Sequence, residues 1–460
     1  MAMRLKFLDR FNEIEKLERT LKRVNSSFIV IYGRRRCGKS RLLQEIIKKK
    51  DIFFMADQQE AQLQREGLAK EIDRVVPGFS AASYPSWESI LYALNNSLKE
   101  RVNLIIDEFP YIVQNAAEIT GVLQKFIDTV PDRKFNLIIC GSSQRMMQGL
   151  VLDASSPLYG RADEVFKVRS LKAAWIQDAF ELNDIEAIEA YSVWGGVPRY
   201  WELAKEYSSL KEAIINLILD RDGIFHEEPL RLFLDEMRTA TQSLSILTLI
   251  GSGCHRLSEI AGRLEKKAVN LSRPLANLID LGYVRRELPF GESVRSTKRT
   301  LYKINDPFMN FYFRFVQTNK SLLEFDLTEK VFSDISKRFS QYVAEIWEVL
   351  VRESIPAAEI AGKRWKPAQR WWGAGINRKP LETDVVAESI DEKSLLIGEV
   401  KWSDNDKAAE NIKILRKKIE NSPFTKDYDI IPAIWVKSIN SVQSDFENIF
   451  TPRDVLRYLK

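Results

Sequence analysis

The chain has 460 residues, of which 45% are hydrophobic and 29% are charged. This length and composition are typical of a soluble globular protein of about three domains. The net charge of +5 neither requires nor excludes nucleic acid as a partner. Three scattered cysteines without a CxxC pair and only two histidines argue against a disulfide framework, a zinc site, a histidine metal site and a Ser-His-Asp triad. Since no apolar run approaches the ~20 residues that span a bilayer and the first residues lack the apolar core of a signal peptide, we expect a cytoplasmic protein without membrane association.

The first predicted strand, SFIVIY, is short, apolar and β-branched, and it leads directly into GRRRCGKS at 33–40. This string fits G-x-x-x-x-G-K-[ST], the phosphate-binding loop, and KSRLLQEIIKKK predicts a helix that starts inside it. Gly33 and Gly38 allow backbone angles that turn successive N–H groups toward an anion, and the helix dipole favours the same anion. Lys39 is expected to reach the β- and γ-phosphates, and the Ser40 hydroxyl to ligate Mg²⁺.

Two further apolar runs predict strands that end in polar residues. NLIIDEFPYI places Asp107 and Glu108 at the carboxyl end of a buried strand, where acids are costly unless they serve a cation. Asp107 is expected to hold Mg²⁺, and Glu108 to orient and deprotonate the attacking water. FNLIICGSS ends in two hydroxyls, of which Ser142, rather than Ser143, suits a sensor of the γ-phosphate.

With these elements in place, the N-terminal half of the chain resembles the archaeal-type ATPase family of the AAA+/STAND superfamily. The matching strings are FLDRFNEIEKL, GRRRCGKS, LIIDEFPYI, IICGSSQRMM, SPLYGR and GGVPRYW, in the family's order. The resemblance implies a five-stranded parallel sheet, with an extra strand between the loop strand and the acidic strand, and then a helical lid. It also implies a finger or sensor role near the nucleotide for Arg161, adenine contact for Pro198 and phosphate contact for Arg199.

The remaining side chains of the loop keep several interpretations open. Cys37 stands where the family usually has a small apolar residue. The arginines Arg34, Arg35 and Arg36 can contact the nucleotide, a neighbouring subunit or acidic side chains of the same domain, and the sequence favours none of these. Together with Arg41, which follows the loop, these residues complete the set that we expect around ATP.

The middle of the chain predicts three helices, SLSILTLIGSG, RLSEIAGRL and AVNLSRPLANLIDLGYV, and then two strands joined by a basic loop. This is the order of a winged helix, whose third helix can enter the major groove of DNA. In that case Arg273 and Asn277 face bases, and Arg295, Lys298 and Arg299 contact phosphates. Alternatively, the module only packs between the lid and the rest of the chain, and its basic loop is a solvated face.

The last third predicts a helix, strands and a further helix that carry acids and a lysine. An amphipathic helix contains Glu345 and Glu348, LETDVVAES is a strand with Asp384, and SLLIGEVKWS is a strand with Glu399 and Lys401 on one face. This order is that of the PD-(D/E)xK nuclease core, in which Asp384 and Glu399 bind Mg²⁺, Glu348 completes the site, and Lys401 positions water and stabilises the phosphate. The family's C-terminal region resembles such a core. The alternative is a degenerate copy that only packs or binds.

We therefore expect an α/β chain with a P-loop AAA+-type parallel sheet (1–170), a helical lid (171–232), a winged helix (233–322) and a restriction-endonuclease-like α/β domain (323–460). ATP and Mg²⁺ are the expected cofactors, DNA or RNA is the expected partner, and a homo-oligomer is compatible with the pattern. The predicted function is Mg²⁺-dependent ATP hydrolysis by a protein that acts on, or is regulated by, nucleic acid. The alternative is a STAND-type nucleotide-gated signalling or transcription switch with a catalytically inactive C-terminal domain.

Overall fold

The structure is a computed structural model that describes residues 5–236, 240–295, 297–403, 408–439 and 448–460. The chain divides into two compact units. The N-terminal unit is formed mainly by Phe7–Ser170, and the C-terminal unit by Leu171–Leu234 and the described residues from 240 onward. None of the described helices has both the length and the apolar character that are needed to cross a membrane. The four-domain division stays a prediction, since the last three predicted domains fall largely in one unit.

The N-terminal unit is a parallel sheet covered by helices. Its strands are β1 (Phe28–Tyr32), β2 (Ile52–Met55), β3 (Val102–Asp107), β4 (Phe135–Gly141) and β5 (Glu164–Lys167). Its helices are α1 (Phe11–Leu21), α2 (Lys39–Ile46), α3 (Ala61–Asp73), α4 (Trp87–Ser97), α5 (Phe109–Asn115), α6 (Ile119–Thr129) and α7 (Gln144–Leu152). The strand order is β2-β3-β4-β1-β5, with every pair parallel. This order matches the P-loop AAA+ fold and confirms the predicted extra strand, β4, between β1 and β3.

Strand β1 shows why this sequence makes a central parallel strand. All five of its residues are buried, because parallel sheets are covered on both faces and therefore need near-continuous apolar strands. Val30 packs into the cluster that includes helices α3 and α4, whereas Ile29 and Ile31 pack on the opposite face with Leu17 of α1 and Leu42 of α2. The carboxyl end of β1 is thus fixed from both sides, and the glycine-rich loop begins there.

The C-terminal unit begins with short helices and continues with the predicted three-helix module. The lid segment contains α8 (Trp175–Phe180), α9 (Asp184–Trp194), α10 (Pro198–Ala204), α11 (Leu210–Ile214) and α12 (Glu228–Glu236). The next elements are α13 (Thr241–Gly251), α14 (Leu257–Arg263), α15 (Ala268–Asp280), β6 (Val284–Glu287) and β7 (Leu301–Ile304). Strands β6 and β7 are antiparallel, so the predicted order of three helices and a hairpin is confirmed.

The rest of the unit is a mixed sheet between helices. After α16 (Pro307–Phe311) and α17 (Lys320–Glu324), the long helix α18 (Thr328–Ser354) leads into it. The following elements are β8 (Glu359–Ile360), β9 (Lys363–Arg364), β10 (Gln369–Ala374), β11 (Pro380–Glu388), β12 (Ser394–Val400), α19 (Ala408–Glu420), β13 (Asp429–Trp435), β14 (Ile449–Phe450) and α20 (Pro452–Tyr458). The described strands pair in the order β10-β11-β12-β13-β14, antiparallel as far as β12 and parallel beyond it. The predicted strands with Asp384 and Glu399 are therefore neighbours.

Candidate functional site

The glycine-rich loop between β1 and α2 has the backbone of an anion-binding turn. Arg36 and Gly38 take left-handed angles, with φ of 68° and 90°, and such a turn directs successive N–H groups to one side. Gly33 is required for a different reason than predicted, because a β-carbon there would lie 2.2 Å from the carbonyl oxygen of Val168. The sequence did not indicate the left-handed conformation of Arg36, because arginine rarely adopts this conformation.

Lys39, the first residue of α2, points its amine back into this loop. The side chain is only 4% exposed, and its Nζ donates to the carbonyl oxygens of Gly33 (2.8 Å) and Arg34 (3.1 Å). Those carbonyls are weak substitutes for phosphate oxygens, which bind an ammonium group more strongly. The loop arginines differ in environment, because Arg34 is buried, Arg36 is half-buried and Arg35 is exposed.

Arg41 lies beyond the loop on the surface of α2. Its guanidinium forms an ion pair with Glu45, with 3.0 Å between Nη2 and Oε1. This pair is one helical turn apart, the spacing at which oppositely charged side chains stabilise a helix. The contact gives Arg41 a local role, and nucleotide contact by Arg41 stays a prediction.

The predicted acids and hydroxyls form one hydrogen-bonded chain across three elements. The Ser40 hydroxyl donates to Oδ2 of Asp107 (2.8 Å), and Oδ1 of Asp107 accepts from the backbone N–H of Glu108 (2.9 Å). The Glu108 carboxylate accepts from the N–H (3.1 Å) and the hydroxyl (2.6 Å) of Ser142. The ends of β3 and β4 thus bring Asp107, Glu108 and Ser142 beside the helix that carries Ser40.

Glu108 and the two serines have distinct positions in this chain. Glu108 has a φ of 53°, and strained left-handed residues of this kind persist mainly at functional sites. Ser143 instead caps α7 by accepting from the N–H of Met146 (3.5 Å). These contacts favour Ser142 over Ser143 as the residue that faces the acid.

Burial, together with nearby Asp107, raises the pKa of the Cys140 thiol well above its usual range.

The donor set at the loop suits Mg²⁺ in the presence of a nucleotide. Mg²⁺ binds oxygen ligands, and it is usually held by one or two carboxylates, waters and the substrate's phosphates. Ser40 and Asp107, which is 1% exposed, provide a hydroxyl and a carboxylate that already touch. Within the described residues, no three His, Cys, Asp or Glu side chains are grouped closely enough to hold a metal ion. A metal at the loop therefore depends on phosphate oxygens.

Arg10 is a residue of this site that the sequence reasoning did not assign. It belongs to the string FLDRF, is 6% exposed and has a φ of 75°. Its guanidinium forms an ion pair with Glu13 (3.2 Å) and donates to the carbonyl oxygens of Cys37 (3.5 Å) and Arg169. Arg10 therefore connects the glycine-rich loop to the segment that follows β5. The signal in the sequence was weak, because a charged residue before a helix is usually exposed.

Arg161 lies at the other end of the sheet from the loop. Its guanidinium binds Asp128 in α6, with 2.9 Å from Nε to Oδ1 and from Nη2 to Oδ2. Two residues later, Asp163 exchanges hydrogen bonds with the backbone of Phe28, the first residue of β1. Because β1 spans about 16 Å at ~3.3 Å per residue, the position of Arg161 does not support contact with a nucleotide held by the same chain.

The string GGVPRYW lies in the C-terminal unit, where Pro198 begins α10. Arg199 forms an ion pair with Glu202 (3.0 Å). Gly196 has a packing role, because a β-carbon there would lie 1.9 Å from the carbonyl oxygen of Leu171, whose N–H donates to Gly196 (2.7 Å). The adenine contact of Pro198 stays a prediction.

A second polar cluster lies on the mixed sheet and combines acids with lysines. Oδ2 of Asp384 accepts from the N–H of Val400 (2.9 Å). Glu399, 2% exposed, binds Lys401 through Oε1 (2.6 Å) and Lys418 through Oε2 (2.5 Å). The predicted pairing of Glu399 with Lys401 on one face is thus present. The sequence analysis did not assign Lys418. Its helix, α19, has the pattern of a basic amphipathic helix, in which no single lysine is distinguished from the others.

The carboxylates of this cluster oppose one another electrostatically. Burial and then the charges of Glu399 and Glu348 raise the pKa of Asp384, and burial raises the pKa of Glu348. Burial alone would lower the pKa of Lys401, but the hydrogen bond to Glu399 outweighs this effect and raises that pKa. Acids that repel in this way are suited to a shared cation. Glu345 pairs with Arg314 (2.7 Å), and its charge adds to those that raise the pKa of Glu348.

The basic loop of the hairpin is docked on the mixed sheet. The N–H of Phe290 donates to the carbonyl of Arg370 (2.9 Å), and Nη1 of Arg299 donates to the carbonyl of Trp372 (2.7 Å). Arg299 also forms an ion pair with Glu292. Of the side chains predicted to contact DNA phosphates, Arg299 therefore has an internal role. Arg299 is exposed too, as are the others, Arg295 and Lys298, and Arg273 on α15, whereas Asn277 is half-buried.

Comparisons with known proteins agree with the site in the N-terminal unit. The family model described as an ATPase domain predominantly from Archaea matches residues 7–203. A second model, described as archaeal and bacterial proteins of unknown function, matches residues 312–412. The chain is 32% identical over 451 residues to the uncharacterized protein MJECL04 of Methanocaldococcus jannaschii, covering 95% of this chain and 97% of that protein.

Solved structures with related folds include two archaeal proteins. A Walker-type ATPase of Pyrococcus abyssi is 21% identical, with a TM-score of 0.47, and the match covers 67% of this chain and 96% of that one. The ORC2 protein of Aeropyrum pernix is 15% identical, with a TM-score of 0.46, and the match covers 71% and 96% of the two chains.

The loop geometry, the acids at the end of β3 and the matched ATPase domain define the class of this protein, a P-loop ATPase that binds and hydrolyses ATP. At 32% identity over nearly its whole length, the chain belongs to the family of the Methanocaldococcus jannaschii protein.

Proposed function

We propose that this ATPase acts on nucleic acid and that its C-terminal sheet carries a metal-dependent phosphodiesterase site of the PD-(D/E)xK type. The observation that carries the proposal is that Asp384 on β11 and Glu399 on the neighbouring strand β12 interact electrostatically, and that Lys401, which follows β12, donates to Glu399 at 2.6 Å. Such a set, with carboxylates for a cation and an ammonium group for the phosphate, suits phosphodiester hydrolysis. In the same chain, the three-helix module and its hairpin support a winged helix that contacts DNA.

For ATP hydrolysis, each residue of the N-terminal site has a role that follows from its contacts. Lys39 exchanges the loop carbonyls for the β- and γ-phosphates, which attract its ammonium group more strongly. Ser40 and Asp107 would hold Mg²⁺, which when bound neutralises charge on the phosphates. Glu108 takes a proton from the attacking water once its carboxylate turns away from Ser142. Arg161, remote from the loop of its own chain, would act on a nucleotide held by a second copy.

For phosphodiester hydrolysis, each residue of the C-terminal cluster would likewise have a separate role. Asp384 and Glu399 would hold a divalent cation, which when bound supplies an activated water. Glu348, predicted to complete the site, pairs with Arg352 instead and does not form a metal-holding group of three with them among the described residues. Lys401 would leave Glu399 and hold the charge of the scissile phosphate. Lys418, on the other oxygen of Glu399, would keep that carboxylate oriented.

A second candidate function is a nucleotide-gated switch of the STAND kind. It is favoured by the engagement of both Glu399 oxygens with lysines and by the docking of Arg299 on the mixed sheet, since both contacts suit a C-terminal domain that only packs. A switch is expected to hydrolyse ATP in nearly single turnovers, whereas a nucleic-acid-processing ATPase is expected to turn over repeatedly and faster with DNA present.

The full chain should be assayed with Mg²⁺ or Mn²⁺ on single- and double-stranded DNA and on RNA. We expect cleavage that Asp384→Ala abolishes while ATP hydrolysis continues, because the cation at Asp384 serves only the C-terminal site. Asp429→Ala, an exposed acid on the same sheet, should cleave normally. Cleavage that survives Asp384→Ala would mean that the activity comes from another site. No cleavage by the unaltered chain, together with single-turnover ATP hydrolysis, would favour the switch.

A further inference from the structure

A cavity of about 600 Å³ lies within the C-terminal unit. Its walls come from the end of α13, strands β6 and β7, the segment after α16, helix α18 and Arg370 of β10. Every wall residue belongs to this one unit. The volume lies in the range of about 300–1,000 Å³ that is usual for small-molecule pockets.

The wall of the cavity is strongly cationic. Six of its side chains are basic, namely Arg285, Lys303, Arg314, Arg338, Arg352 and Arg370. Three are acidic, namely Glu287, Glu345 and Glu348. His255 adds no charge at neutral pH, because burial lowers its pKa to about 4. The described wall therefore carries an excess of three positive charges.

The acids of the wall are already used by four of the arginines. Glu287 pairs with Arg285 (2.9 Å) and Arg370 (3.3 Å). Each of the other two acids pairs with one arginine, Glu345 with Arg314 (2.7 Å) and Glu348 with Arg352 (3.6 Å). Arg370 also pairs with Glu382, an acid outside the wall, which leaves an excess of two positive charges.

The two remaining cations form no ion pair among the described residues, although the charges of Glu287 and Glu345 act on Lys303 and the charge of Asp334 acts on Arg338. The Lys303 ammonium forms neither a hydrogen bond nor an ion pair there, and burial lowers its pKa. Arg338 lies over the ring of Phe315, 5.5 Å from its centroid, and forms no ion pair within the described part of the chain. Nδ1 of His255 and Nε of Arg370 are buried without a hydrogen-bond partner in the same part. Arg338 is exposed, so water solvates its charge. The half-buried Lys303 ammonium and the buried nitrogens of Arg370 and His255 are costly unless a ligand satisfies them.

We propose that this cavity binds a phosphate-bearing ligand of the size of a nucleotide. Lys303 and Arg338 supply free positive charge to a phosphate group, and Arg370 and His255 supply unused hydrogen-bonding groups. Apolar wall atoms of Ile250, Ile304 and Ile346 offer a surface for a base or a sugar. The size and charge together favour a nucleoside phosphate over an uncharged metabolite.

The cavity adjoins the carboxylate cluster of the mixed sheet. Glu348 and Arg352 belong to its wall, and Nη1 of Arg352 donates to the carbonyl oxygen of Asp384 (2.9 Å). The same phosphate chemistry can come from a free nucleotide or from the phosphorylated end of a nucleic acid strand. Binding in the cavity does not depend on cleavage at Asp384 or on the glycine-rich loop, which contributes no wall residue.

Calorimetry on the full chain carrying Lys39→Ala tests the proposal, because that change weakens ATP-site binding. The probes are inorganic pyrophosphate, AMP and a 5′-phosphorylated thymidine trinucleotide. We expect at least one probe to bind, and Lys303→Met and Arg338→Ala each to weaken its affinity about tenfold or more, the scale of one charged hydrogen bond. Lys330→Met, at an exposed lysine of α18 outside the cavity wall, should bind as the parent does.

The probes also separate the two sources of the phosphate. Tighter binding of AMP supports a free nucleotide, and tighter binding of the trinucleotide supports a strand end. Lys303→Met should melt at the temperature of the parent or above it, because it removes an unbalanced charge. The proposal is overturned if no probe binds at millimolar concentration, or if both the Lys303 and the Arg338 variants retain the parent's affinity.

Discussion

Arg10 shows how one buried side chain outside the glycine-rich loop can fix the loop's shape. We expect Arg10→Ala to lower stability by about 1–3 kcal/mol, because it leaves the carbonyls of Cys37 and Arg169 without a buried donor. ATP affinity should fall several-fold, since the turn that carries Cys37 becomes less well fixed. Urea unfolding and titration with a fluorescent ATP analogue measure the two effects.

Arg23 is a matched control for this change. It lies in the same unit and pairs with Asp163 (3.4 Å), but its side chain is 44% exposed, and exposed ion pairs contribute little. Arg23→Ala should therefore leave ATP affinity unchanged and lower stability by less than about 1 kcal/mol. If Arg10→Ala matches Arg23→Ala in both measurements, Arg10 does not hold the loop.

Residues whose role follows from their place at a strand end could be predicted from the sequence. Asp107, Glu108 and Ser142 each follow an apolar run, and parallel strands bring such ends to one edge of the sheet. Arg10 and Lys418 could not be predicted in this way. Their partners lie 27 and 19 residues away in the chain, and only the packing of separate elements brings them together.

At the scale of elements, the proposed DNA contact of the three-helix module depends on exposed side chains of the hairpin loop between β6 and β7. Arg295 and Lys298 are exposed, so changing both to Ala should remove up to two phosphate contacts. The slope of log K against log[salt] should then shrink by about 1.8, at ~0.9 per contact on duplex DNA. Binding to a labelled duplex at several salt concentrations measures the slope.

Arg299→Ala is the matched change in the same loop. Because Arg299 binds Trp372 and Glu292, this variant should keep the salt slope and melt at a lower temperature. A slope that shrinks for Arg299→Ala but not for the double variant would mean that the loop leaves the mixed sheet to bind DNA.

The types of the elements were easier to predict than their ends. Strands β1, β3, β4, β11 and β12 lie where apolar runs placed them. The helix after the loop ends at Ile46, earlier than KSRLLQEIIKKK suggests. The reason lies in Asp51, whose carboxylate accepts from the N–H of Lys48 (2.9 Å) and from both the backbone and side chain of Asn103. Contacts between Asp51 and Asn103 of β3 thus end the helix earlier than the residues of the helical segment alone would favour.

At the scale of the whole molecule, the sequence indicated which secondary-structure elements follow one another, but it did not indicate the cavities that form where these elements pack. The five parallel strands and the place of β4 between β1 and β3 could be predicted because the family resemblance implies them, whereas the places of β2 and β5 came from the structure. The cationic cavity could not, since its wall combines Lys303 of the hairpin, Arg338 of α18 and Arg370 of β10. Each of these side chains looks like a solvated surface charge in its own segment.

The central claim is that ATP binds at the glycine-rich loop and is hydrolysed with Glu108 as the base. ATP binding and phosphate release should be measured on the full chain and on Lys39→Ala, Glu108→Gln and Glu118→Gln, the last an exposed control. Lys39→Ala should lose most of its ATP affinity. Glu108→Gln should keep the affinity and hydrolyse about 10²-fold more slowly, the scale of a general base. Wild-type affinity in Lys39→Ala, or wild-type turnover in Glu108→Gln, would contradict the assignment.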